Sequence, residues 1–114
     1  MASGTLKKIS GPAYLAAAAA DIYTPAASTI YTVIRQIHVA NVTAGAVTFT
    51  LYVGATGGSS AGTELFKAYS VAANSTYDHY WSPGLKLLST EFLSGLASAA
   101  TSLTITVVGE QVVV

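Results

Sequence analysis

Apolar and polar residues alternate most regularly over residues 30–53, IYTVIRQIHVANVTAGAVTFTLYV. Val47, Phe49, Leu51 and Val53 alternate with Thr48, Thr50 and Tyr52, the period-two pattern of a strand with one buried face. Upstream, Ile37 and Val39 fall on one face and Gln36 and His38 on the other. Continued strictly, the alternation places Val33 and Arg35 with Ile37, so that Arg35 sits at the rim with its guanidinium reaching water. Asn41-Val-Thr-Ala-Gly45 supplies turn residues, Asn because it tolerates the left-handed region and Gly45 because positive φ costs it little. The stretch predicts a hairpin, and the rest of the chain is read around it.

Before the hairpin the pattern is weaker. Residues 1–11, MASGTLKKISG, are small and polar, as in a loose tail or an arm that orders against a neighbour. This divides the chain into an N-terminal arm over 1–11 and one domain over 12–114. In residues 14–24, YLAAAAADIYT, the alanines favour helix. Pro12 and Pro25 bracket the piece, however, and Ile22-Tyr-Thr has β character, so a strand with small side chains is expected. After the hairpin come a Gly/Ser loop over 54–62, strands over 64–72 and 76–82, a Pro83-Gly84 break, a short apolar run over 85–88, and strands over 92–100 and 103–114. In the last of these, Leu103, Ile105 and Val107 face inward before Gly109 permits a bulge. About eight short strands with turn signals between them predict a single-domain, all-β, antiparallel β-sandwich of jelly-roll type.

Composition narrows the function classes. Charged residues are 9% of the 114, against about 25% in ordinary globular domains, and the formal net charge is zero. Lys7-Lys8 is the only adjacent basic pair, so no nucleic-acid footprint is expected. Without cysteine, disulfides are excluded. Hydrophobic residues reach 52%, which suggests that partner chains cover part of the nominal surface. Residues 92–109 are uncharged and long enough to span a bilayer, but six serines and threonines interrupt them and their end alternates, so no membrane span is expected. Lys7-Lys8 ahead of the alanines superficially resembles a secretion signal, yet Pro12 and Tyr14 stand where its apolar segment should start.

The residue inventory offers little for catalysis. Asp78-His79, with Ser75 and Ser82 nearby, is the most tempting pair, but neighbours on a strand point to opposite faces and Asp78 cannot orient His79. His38 and His79 lie on distant segments, and neither a metal site nor a cofactor is expected. Tyr77, Tyr80 and Trp81 form the densest aromatic patch, open to three readings: packing at core or rim, a protein interface, or a platform for a sugar ring. Asn41-Val-Thr43 and Asn74-Ser-Thr76 match the glycosylation pattern but are better explained as turns. The closing Val112-Val113-Val114 lacks polar cover and reads as a central strand or a contact to a neighbour.

The order of segments resembles a group of small β-sandwich proteins encoded among the virion genes of tailed bacteriophages. The resemblance spans residues 22–110 and is carried by TIYTVIRQIHVAN (29–41), VTFTLYVG (47–54), LFKAYSVAANS (65–75), residues 85–89 and LTITVVGE (103–110). "IRQIHVAN", the "VAANST" turn and the final Gly109-Glu110 carry most of it. Ser89-Thr90-Glu91 departs from the usual Gly-Asp turn before the penultimate strand. The resemblance implies a virion component, a capsid decoration protein or a tail, neck or fibre accessory protein. With no catalytic set in the sequence, the leading expectation is a non-enzymatic capsid decoration protein on the phage particle surface, present in host cytoplasm before assembly. Its partners would be the major capsid protein and further copies of itself, a trimer suiting a capsid three-fold position. Leu6, Lys7, Lys8, Ile9, Tyr77, Tyr80, Trp81, Val112, Val113 and Val114 are the candidate contact residues.

Overall fold

The computed structural model describes residues 6–54 and 63–113. In them the chain forms β1 (Leu6–Tyr14), β2 (Ala20–Tyr23), β3 (Thr29–Asn41), β4 (Val47–Gly54), β5 (Glu64–Val71), β6 (Thr76–Leu88), β7 (Phe92–Ala97) and β8 (Leu103–Val113). β1 pairs antiparallel with β8, β2 with β7, β3 with β6 and β4 with β5, as in one long ribbon folded at its middle. Further pairing of β3 with β8 and of β4 with β7 rolls that ribbon into two sheets, β1-β8-β3-β6 and β2-β7-β4-β5. This is a jelly-roll β-sandwich.

The expected hairpin is not a local one. β3 and β4 are consecutive but lie in different sheets, and the 42–46 turn carries the chain across the sandwich. The buried side chain of Asn41 braces that crossing. Its Oδ1 accepts from Thr43 N–H (2.9 Å) and hydroxyl (2.7 Å), while its Nδ2 donates to the carbonyls of Gly45 (2.9 Å) and Val71 (3.0 Å). Positive φ occurs elsewhere, at Gly11, Ala68, Asn74, Gly84 and Thr101. Gly45 is therefore not the left-handed position expected of it.

The core lies between the sheets. Ile34, Ile37 and Val39 of β3, Phe49 and Leu51 of β4, Leu93 of β7 and Leu103, Ile105 and Val107 of β8 are all buried in it. Burying such side chains contributes about 1.5–3 kcal/mol each. The inward positions of β3 run 32, 34, 37, 39, so the alternation skips a residue. Both neighbours show the reason: between Ile34 and Gln36 the register with β8 steps from Gly109 to Val108, and with β6 from Leu85 to Tyr80. Arg35 is thus the extra residue of a bulge against β8, while on β6 the extra residues are 81–84, opposite Arg35. The single extra residue on β3 reverses the facing of all that precedes it. Val33 does not share the face of Ile37, contrary to strict alternation. Two glycines make room for the bulge. A Cβ on Gly109 would overlap the Val33 carbonyl, and one on Gly84, whose φ is 151°, would overlap Val33 Cγ1. Arg35 reaches the rim as expected, where its Nε and Nη2 donate to Glu110 Oε2 at 2.9 and 2.6 Å and its Nη1 donates to the Pro83 carbonyl.

Three segment assignments change. The boundary expected at Gly11 falls inside β1, whose Leu6, Lys7 and Lys8 pair with Glu110, Gly109 and Val108. The 14–24 piece is not one strand. Its alanines connect β1 to β2, with Leu15 N–H bonded to Leu103 O (2.8 Å) and Ala16 O accepting from Ala97 N–H (2.8 Å). Backbone partners on neighbouring strands outweigh alanine's helix propensity there. The strands expected over 76–82 and 85–88 are one strand, because residues 81–84 bulge opposite Arg35 and pairing resumes on the same partner. The count of eight holds because these changes offset one another. Residues 55–62 of the expected loop, with Gly57-Gly58, lie outside the described residues.

Candidate functional site

β6 sits at one edge of its sheet, paired only with β3, and its regular half runs from Thr76 to Tyr80 opposite Ala40 to Gln36. Alternation sorts its side chains into two rows. Tyr77, His79 and Trp81 turn inward; Asp78 and Tyr80 turn outward, the latter 67% exposed. The aromatic patch of the sequence is therefore divided, with Tyr77 and Trp81 on one face and Tyr80 on the other.

The inner row meets an aromatic set from the facing sheet. β5 carries a bulge at Lys67 and Ala68, with Ala68 at φ 48° and its N–H bonded to Thr50 Oγ1 (3.0 Å). The bulge brings Phe66 and Tyr69 to one side, which strict alternation does not do. Phe66 contacts the rings of Phe49 (5.5 Å), Tyr77 (6.1 Å), His79 (5.1 Å) and Trp81 (6.3 Å), and Tyr69 lies 4.3 Å from Tyr77. Ring contacts of this kind add about 0.5–1.5 kcal/mol each beyond burial. They close the sandwich between β5 and β6. Burial, and secondarily Tyr69, push the Tyr77 hydroxyl above its ordinary pKa, and Tyr77 Oη lies 3.0 Å from His79 Nδ1.

The outer row is polar. Asp78 does not orient His79, as expected from their adjacency. Instead it faces His38 across the strand pair, with His38 Nδ1 2.6 Å from Asp78 Oδ1. Gln36 Nε2 donates to Asp78 Oδ1 (3.0 Å) and to Tyr80 Oη (3.3 Å). The hydrogen bond from His38 holds the Asp78 carboxyl below the ordinary carboxylate range, with Gln36 assisting. A His–Asp pair is half of a nucleophile-activating set, but among the described residues no hydroxyl is bonded to the free His38 nitrogen. Among them too, no group of three or more His, Cys, Asp or Glu is placed to hold a metal ion.

The remaining candidate contacts do not form one patch. Leu6 and Lys8 are exposed on edge strand β1, Lys7 Nζ donates to Gln111 Oε1 (3.2 Å), and Ile9 packs on the core. Val112, opposite Tyr31 of β3, is buried and offers no surface for a contact. Val113 pairs with Thr29, half-buried, and Val114 lies outside the described residues. Asn41 is buried with its amide fully engaged and is no glycan acceptor. Alternation places Gln36 and His38 on one face of β3, but nothing local gives the register of β6, so their pairing with Asp78 is not legible in the sequence.

No protein-family profile and no curated protein matches the chain. Among solved structures, it is similar to a chain described as "Bacillus endospore appendages form a novel family of disulfide-linked pili", with a TM-score of 0.56 and 19% identity, over 100% of this chain and 91% of that one. It also aligns with a chain from the structure of infectious bursal disease virus Gx strain at a TM-score of 0.45 and 9% identity, over 99% of this chain and 32% of that one. The first likeness is one of fold.

Proposed function

We propose that this protein is a structural subunit that joins copies of itself into an assembly, and that the assembly is a tailed-phage particle on whose outer capsid surface it serves as a decoration protein. The observation that carries the assembly reading is the open edge of β6. Asn41 N–H bonds Ser75 O at 2.8 Å, which makes alternate β3–β6 pairs hydrogen-bonded and turns the backbone N–H and C=O of Thr76, Asp78 and Tyr80 away from β3. Such an edge adds a further strand unless it is guarded. The other edges are guarded: β1 and β5 by register breaks, β2 by its length of 4 residues. Along Thr76–Tyr80 the register is unbroken. The virion setting rests on the resemblance of residues 22–110 to phage sandwich proteins, and the major capsid protein would be the second partner.

A pilus-like fibre is the alternative, favoured by the end-to-end likeness to the endospore-appendage chain. A fibre of this chain would hold without disulfides, since it has no cysteine. Immunogold labelling of particles and cell surfaces, with light scattering of the purified protein, decides between them. Label over phage heads and an oligomer in solution are expected. Label on filaments would replace the capsid reading with the fibre; a monomer at all concentrations with no label on either would overturn both.

A further inference from the structure

The outer face of the β1-β8-β3-β6 sheet has a composition that the assembly reading does not use. Strand register lays it out in rungs. Tyr80, Gln36, Val108 and Lys8 form one; Asp78, His38 and Thr106 the next; Thr76, Ala40, Thr104 and Tyr14 a third. The floor is about 14 Å wide, three interstrand spacings. Tyr80 and Tyr14 stand at its two edges, 67% and 55% exposed. Between them lie threonines, an amide, an imidazole and a carboxylate.

These groups are held, yet not used up. Asp78 Oδ1 accepts from His38 and Gln36, and Gln36 Nε2 also reaches Tyr80 Oη, so each side chain is fixed by its neighbours. Asp78 Oδ2, Gln36 Oε1, His38 Nε2 and the hydroxyls of Thr76, Thr104 and Thr106 have no hydrogen-bond partner among the described residues. Side chains fixed in advance lose little entropy when a ligand binds.

The chemistry excludes several ligand classes. A nucleic acid needs a basic cluster, and these rungs hold one lysine against one aspartate. A protein interface of ordinary kind needs a contiguous apolar centre, and here Val108 and Ala40 are separated by His38 and Thr106. A neutral sugar needs what is present. Its C–H face lies on the electron-rich face of an aromatic ring, its hydroxyl pairs bridge a carboxylate or an amide, and it brings no charge requiring neutralisation.

We infer that this face binds a neutral glycan, with Tyr80 as the stacking ring and Asp78, Gln36 and His38 as hydroxyl-binding groups. Tyr14 supplies a second stacking position at the far edge. The site is distinct from the inner aromatic cluster, so Trp81 takes no part in it. It also stands independently of where the protein resides. Where copies assemble, weak individual sites act together and avidity rises.

The test is an array of neutral oligosaccharides, hexose and N-acetylhexosamine types, probed with the full chain and followed by amide-resolved NMR titration with the best-retained member. Expected are shifts confined to the outer rows of β1, β3, β6 and β8, and a roughly tenfold or larger loss of affinity in Tyr80→Ala and in Asp78→Asn. Trp81→Phe should bind as the parent does. All three variants are checked for folding by the same spectra. Retention of no neutral glycan, retention of acidic glycans alone, or binding indifferent to Tyr80→Ala would each overturn the inference. So would a Tyr80→Ala variant that leaves glycan binding intact but abolishes attachment to particles, which would make the face a protein contact.

Discussion

The two rows of β6 differ in what holds them and in what they can do. Tyr77, His79 and Trp81 are covered by Phe66 and Tyr69 from the opposite sheet, and their interactions are ring on ring. Asp78 and Tyr80 alternate with them along the same backbone, and their partners are Gln36 and His38 on the adjacent strand. Adjacent residues thus serve opposite purposes: one row closes the sandwich and the other offers groups to solvent. Residue type in the sequence does not separate them, since each row contains a tyrosine and an ionisable side chain. Strand geometry does.

Substitutions test the contrast most sharply where it is deepest. Phe49→Ala removes a fully buried ring on which the inner row rests, and should cost about 3–5 kcal/mol in urea unfolding. Trp81→Ala, half-buried and touching Phe66 and His79, should cost about 2 kcal/mol. Tyr80→Ala, one residue away, should change stability by less than about 0.5 kcal/mol. Equal losses at 80 and 81 would contradict the division.

The outer row has a pH signature instead. The hydrogen bond from His38 keeps the Asp78 carboxyl ionised to lower pH than in the unfolded chain. A depressed folded pKa contributes stability above the unfolded value and loses it as pH falls through the folded one. NMR titration of the Asp78 carboxyl carbon should show the depression, and His38→Ala should move it back toward the ordinary range. An unchanged Asp78 titration in that variant would assign the shift to some other cause.

Much of the fold could be read from the sequence, and the exceptions share a cause. Period-two alternation located β3, β4 and β8, and turn residues located most of the breaks. It failed at Arg35, at Lys67-Ala68 and across residues 81–84, three places where a bulge changes which face a residue occupies. Gly109 was visible as the glycine permitting such a bulge, but the extra residue is Arg35, on the partner strand. Pairing between strands far apart in sequence is invisible to periodicity. For that reason Asp78 and His79 were correctly set apart while the true partner of Asp78, His38, was not found. The same reasoning applied to Tyr80 and Trp81 would have divided the aromatic patch.

The most direct measurement of the central claim, that β6 is an open strand edge used for assembly, is amide hydrogen exchange along residues 76–80, in dilute monomer and in the assembled protein. The account predicts alternation in the monomer, with Tyr77 and His79 protected and Thr76, Asp78 and Tyr80 exchanging fast, and protection at all five positions after assembly. Fast exchange at 76, 78 and 80 that persists in the assembly would contradict it.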